Sequence, residues 1–136
     1  MKDVFVDTSY FIALVHTQDS YHQKAKKWAK RIVAENITCH TTIPVVFEIA
    51  DSFSRLARRD IGIDLLENIF HADNFIVYPF DATIYEKALD LYKSRKDKEW
   101  SLTDCYSFEL MNELNLSEAL TADKHFEQYG YKILLK

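Results

Sequence analysis

Asp3-Val-Phe-Val-Asp7-Thr8-Ser9, close to the amino terminus, decides how the rest of the chain is read. Val and Phe side chains follow one another without polar alternation, the mark of a short strand buried on both faces, and the run stops at a carboxylate. A strand of this kind belongs inside a parallel sheet covered by helices. Both the segments that follow and their spacing fit that layout.

Ser9 to His16 reads as a helix, and Ser20 with Gln23 makes a capping box for a second helix to Glu35, striped by Ala25, Trp28, Ala29, Ile32 and Val33. Ile37 to Thr42 is a second strand. Pro44 suits a first helical position and leads a helix through Glu48 to Arg59, followed by another from Ile61 to Ala72. Phe75 to Pro79 is a third strand, and Asp81 caps a helix to Arg95. Ser101 and Asp104 are placed as a cap for a helix to Asn115. Ala119 to Ala122 is a short strand, Lys124 to Gln128 a brief helix and Tyr131 to Leu135 a last strand. Strands alternating with amphipathic helices predict a three-layer α/β/α sandwich with a central, mostly parallel sheet. The order of the strands is not legible, but ligands of such sheets sit beyond the carboxyl ends of the strands.

Composition bounds the rest. The chain has 136 residues, 48% of them hydrophobic, with only two glycines and two prolines scattered along it, so residues 1–136 are expected to form one domain. The apolar stretch from Val4 to Val15 is interrupted by Asp7 and no small-residue cleavage site follows it. No run reaches the ~18 apolar residues of a membrane span. A cytoplasmic protein without membrane contact is expected. Cys39 and Cys105 have no metal-ligand spacing and read as small buried hydrophobes. A formal charge of −4 argues against coating nucleic acid through overall positive charge. The basic groups at Lys24 to Arg31, Arg55 to Arg59 and Lys93 to Lys98 read as solvated helix faces.

Four acids stand out by position. Asp7 closes the first strand, Glu48 interrupts the apolar run Pro44-Val-Val-Phe-Glu-Ile-Ala50, Asp104 lies in the first turn of a helix, and Asp123 follows the fourth strand. All four should reach one edge of the sheet. Helix capping is open to Asp7, Asp104 and Asp123 individually. It does not serve Glu48, whose neighbours are apolar, and it does not explain the collection. Carboxylates ~4 Å apart repel by ~4 kcal/mol at an effective dielectric of about 20, so such a cluster must bind cations or keep protons. Oxygen ligands favour Mg²⁺ or Mn²⁺, and a water acidified by such an ion can attack a phosphodiester. Thr8, Ser9 and Thr103 stand beside the acids as candidates to orient them.

Other chemistries have less support. There is no P-loop and no Gly-x-Gly-x-x-Gly turn, and none of the five histidines forms His-Glu-x-x-His or pairs with a nucleophile. His125 reads as a surface helix position. An aspartyl-phosphate nucleophile at Asp7 would be supported by a second acid two residues on, where Ser9 stands.

Val6-Asp7-Thr8-Ser9, Glu48, Ser101-Leu-Thr-Asp104-Cys-Tyr-Ser-Phe108 and Thr121-Ala-Asp123-Lys-His-Phe126, in this order and spacing, resemble the PIN-domain nucleases, and among them the VapC-type toxins of toxin–antitoxin pairs. The resemblance spans essentially the whole chain. It implies a Mg²⁺- or Mn²⁺-dependent endoribonuclease with Asp7, Glu48, Asp104 and Asp123 as the metal-binding catalytic set, RNA as substrate, a homodimer, and a small antitoxin as partner. A PIN nuclease of RNA processing that is not a toxin, a non-catalytic RNA-binding or interaction module and a metal-dependent phosphatase are the competing readings.

Overall fold

The computed structural model describes residues 2–136. Five parallel strands form one sheet: β1 (Asp3–Val6), β2 (Thr38–Thr42), β3 (Phe75–Tyr78), β4 (Glu118–Leu120) and β5 (Lys132–Ile133), in the order β3-β2-β1-β4-β5. β1 is central and fully buried from Val4 to Val6, as its unbroken apolar sequence requires. The chain winds outward from β1 through β2 to β3, then resumes on the other side with β4. The gap between the carboxyl ends of β1 and β4 is therefore the topological switch point, where open α/β sheets leave a crevice.

Seven helices among the described residues cover both faces: α1 (Thr8–Val15), α2 (His22–Ala34), α3 (Ile43–Ser52), α4 (Leu56–His71), α5 (Ala82–Ser94), α6 (Leu102–Glu113) and α7 (Lys124–Tyr129). On one face Phe5 meets Phe126, with ring centroids 6.0 Å apart, and Phe126 meets Phe108 edge-on at 5.0 Å. On the other, Phe11 of α1 packs on Phe75 of β3 at 5.8 Å. The α/β/α sandwich and its parallel sheet agree with the sequence reading. Cys39 and Cys105 are free and buried.

Two local expectations are corrected. The third helix does not run to Arg59: it stops at Ser52, and a new helix starts at Leu56 and continues without a break through Gly62. Phe53 turns into the core, and the Arg59 guanidinium donates to the Ser54 carbonyl at 2.6 and 3.2 Å, closing the corner. Gly62 marks close packing and no helix end; a Cβ there would lie 2.6 Å from the Phe53 Cβ. The capping box expected from Ser20 and Gln23 is absent, since the helix begins at His22 after Tyr21, and the Tyr21 N–H is taken by Asp19 Oδ1 at 2.8 Å.

Elsewhere the caps follow the sequence. Thr42 Oγ1 accepts the Val45 N–H with Pro44 in the first turn of α3. Ser101 and Asp104 form a reciprocal box at α6. Gly130, with φ +120°, ends α7 in the left-handed region that favours glycine.

Candidate metal centre

In a parallel sheet flanked by helices, the starts of the helices gather at the carboxyl ends of the strands. That geometry collects Asp7 after β1, Glu48 on α3, Asp104 in the first turn of α6 and Asp123 before α7. Asp7 and Asp104 are buried, and Glu48 and Asp123 half-buried. Asp7 feels the charges of Glu48 and Asp104, Glu48 those of Asp104 and Asp123, and Asp104 that of Asp123.

Each acid is held by its own contacts. Thr121 Oγ1 donates to Asp7 Oδ2 at 3.0 Å and accepts the Asp123 N–H at 3.0 Å, so one buried hydroxyl ties the ends of β1 and β4 together. Ser9 Oγ lies 2.9 Å from that hydroxyl and accepts the Ala122 N–H at 3.1 Å. Thr8 Oγ1 donates to Glu48 Oε1. Asp104 Oδ2 accepts the Ser101 N–H at 3.1 Å and faces His125 Nδ1 at 2.9 Å. Asp123 Oδ1 accepts the His125 N–H at 2.9 Å. Thr103 is half-buried and makes no side-chain hydrogen bond among the described residues.

Two of the capping readings are thus real, at Asp104 and Asp123, whereas Asp7 precedes α1 without a side-chain cap. The surface reading of His125 is corrected. Its ring lies between Asp104 and Asp123, 3.4 Å from Asp123 Oδ1, and these three residues offer ligand atoms within 4.8 Å of one another. Thr121 is the other residue that the reading of individual positions passed over. A hydroxyl at a buried strand end, two residues before an acid, was its only local signal.

The electrostatics show the cost of the arrangement. Burial first, then the Glu48 and Asp104 charges, push the Asp7 carboxyl from its ordinary 3.8 up to about 7, against the lowering effect of Thr121. Burial also raises Glu48 and Asp104, with smaller contributions from neighbouring carboxylates. Three acids displaced toward protonation at one sheet edge would be relieved by positive charge placed among them. The donors, carboxylate oxygens with one imidazole at the margin, fit a hard divalent ion such as Mg²⁺ or Mn²⁺.

Residues 4–132 match the PIN domain family model. The chain belongs to the PIN domain family. Among solved structures, this PIN domain is similar to the toxin VapC20 of Mycobacterium tuberculosis, described as cleaving the sarcin–ricin loop, at 24% identity and TM-score 0.82, covering 94% of this chain and 95% of that one. It is also similar to FitAcB of Neisseria gonorrhoeae, at 19% identity and TM-score 0.66 over 96% of each chain. A third similar structure is VapBC2 of Rickettsia felis bound to a promoter DNA fragment, at 12% identity and TM-score 0.68 over 96% of each chain. A search of curated proteins finds no match. In this PIN domain no helix among the described residues is long and apolar enough to cross a membrane.

Proposed function

We propose that the protein is a metal-dependent endoribonuclease acting in the cytoplasm as the toxin of a toxin–antitoxin pair. The observation that carries this reading is the convergence of Asp7, Glu48, Asp104 and Asp123 at the switch point of a PIN fold, with three of them displaced toward protonation. Asp7, Glu48 and Asp104 are the principal ligands in this reading, with Asp123 completing the set. A Mg²⁺ or Mn²⁺ ion held there would supply an acidified water and positive charge for the phosphodiester.

The protein's own contribution is positioning. Thr121 fixes one oxygen of Asp7, Thr8 one oxygen of Glu48, and the Ser101 N–H and His125 the Oδ2 of Asp104. Each carboxylate therefore keeps an oxygen or lone pairs for the ion and its waters. His125 is read as a positioning residue for Asp104, and Thr8 and Ser9 as supports of the same kind.

Cleavage of a mixed structured RNA by purified protein, freed of bound partner, in Mg²⁺, Mn²⁺ and EDTA tests the proposal beside Asp7→Asn and Asp104→Asn. Metal-dependent cutting by wild type, lost in both variants, is expected. RNA binding without cutting under any metal would leave an interaction module instead. Growth arrest on expression, relieved by Asp7→Asn, tests the toxin assignment; a homodimer and a small antitoxin partner are expected on co-purification.

A further inference from the structure

Beside the acid centre lies a cavity of about 330 Å³, lined by Ser9, Ile12, Asp19, Tyr21, Ala122 and Asp123. Resting on the ribonuclease reading, we propose that this cavity seats an unpaired guanine adjoining the cleaved phosphate, and that Asp19 reads its Watson–Crick edge.

Position is the first support. Ser9 and Asp123 belong both to the cavity and to the network that holds the acids, Ser9 through the Thr121 hydroxyl that bonds Asp7. An occupant of the cavity is therefore next to the reacting centre.

The walls are the second. Ile12, Tyr21 and Ala122 are half-buried and packed against the hydrophobic core. They give a fixed apolar lining to a space large enough for one base. Sequence-reading RNA sites take this form, with an unstacked base laid against aromatic or apolar side chains and its polar edge hydrogen-bonded.

The third support is the chemistry of Asp19. Its Oδ1 accepts the Tyr21 N–H at 2.8 Å, which fixes the carboxylate in the loop before α2, and no other side-chain bond engages it among the described residues. An ionised carboxylate only accepts. Guanine alone offers two adjacent donors on its Watson–Crick edge, N1–H and the N2 amino group. Adenine and cytosine each set a ring acceptor beside their amino group, and uracil flanks N3–H with two carbonyls; each would turn a lone pair toward the carboxylate. Use of this edge requires the guanine to be unpaired, so the substrate class is a single-stranded or loop segment. Charge-assisted pairs of this type discriminate roughly tenfold or more between bases.

The test measures binding of Asp7→Asn protein in Mg²⁺ to labelled uridine hexamers carrying one central guanine, inosine, adenine or cytosine. Cut ends produced by wild type on mixed RNA are mapped in parallel. Guanine should bind at least about tenfold better than adenine or cytosine, with inosine, which lacks the N2 amino group, between them. Guanine should also be enriched beside the wild-type cut. Asp19→Asn keeps an acceptor for the Tyr21 N–H but places an amide in the cavity, and it should erase the preference without abolishing cleavage. Equal binding of all four hexamers, or a preference that survives Asp19→Asn, overturns the guanine site and leaves the ribonuclease standing, with Asp19 serving only to cap its turn. Absence of both binding and cutting removes the two proposals together.

Discussion

Replacing Asp7 by asparagine removes the carboxylate most displaced from its ordinary behaviour, and its effect on the metal-free fold can be worked out from the site. The Asp7 carboxyl ionises at about 7 in the folded protein against an ordinary 3.8. At ~1.4 kcal/mol per unit, holding it ionised costs the fold about 4 kcal/mol at pH 8. Between these two values the folded state binds a proton that the unfolded chain has released. Stability from this group is therefore full below pH 4 and falls as the pH rises toward 7 and just beyond. The asparagine carbonyl would accept from Thr121 as Asp7 does, and its amide hydrogens would meet carboxylates that now repel. In EDTA at pH 8, Asp7→Asn is expected to gain about 2 to 4 kcal/mol, raising Tm by on the order of 6 to 15 °C. At pH 5 the gain should shrink to about 1 kcal/mol, because wild type is then largely protonated. Thermal and urea unfolding at both pH values measure this, with cleavage assayed on the same samples and expected to vanish. A variant that is less stable than wild type at pH 8, or whose advantage does not change with pH, refutes the account of a strained charge.

Mg²⁺ should reverse that ranking: with ion in excess, wild type gains stability as RT ln(1 + [L]/Kd) while Asp7→Asn gains much less, which a melting titration reads as a larger rise in Tm for wild type. His125→Ala removes the group that orients Asp104, so cleavage should fall ~10- to 100-fold with only a small loss of stability, and His125→Gln should recover part of the rate. Thr121→Val deletes the hydroxyl shared by Asp7 and Asp123 and should destabilise the metal-free protein by about 1 to 3 kcal/mol in urea unfolding. Gly62→Ala gains up to ~1 kcal/mol of helix propensity but places a Cβ 2.6 Å from that of Phe53; a net loss of about 1 to 2 kcal/mol is expected, and a gain would show that the α3–α4 corner yields easily.

What could be read in advance depended on distance along the chain. β1 and its terminal acid were legible because a buried strand and its end are written in five consecutive residues. The cap of α6 was legible because Ser101 and Asp104 are three residues apart. Strand order was not, since the neighbours of β1 begin at Thr38 and Glu118 and their pairing depends on packing between remote segments. The α3–α4 boundary was displaced because the break is made by burial of Phe53 and the reach of Arg59 to Ser54, contacts that the local sequence pattern does not carry. His125 looked solvent-facing because its partner Asp104 is on another helix, and Asp19 carried no local sign beyond being an acid in a loop. Convergence of the four acids was inferable from topology alone, but the buried hydroxyl of Thr121 between two strand ends was not.

The same atoms serve as helix caps and as members of the acid centre, and this explains how a protein of net charge −4 can crowd carboxylates at one edge. A carboxylate has about four lone-pair sites, so Asp104 can accept the Ser101 N–H, face His125 and still present its other oxygen. Parallel topology brings the positive ends of α1, α3, α6 and α7 to this edge, which offsets part of the repulsion. Asp104 and Asp123 receive that relief through direct bonds to helix-terminal N–H groups. Asp7 is also eased by the Thr8 backbone at the start of α1, but it lies deepest and has the largest displacement toward protonation. At Asp7 the cost of burial outweighs the relief from α1 and Thr121, so the central acid has the most to gain from a bound cation. Loss of Asp7 should therefore reduce Mg²⁺ affinity, measured by the Tm titration, more than loss of Asp123; the reverse order would place the principal ion beside α7 instead.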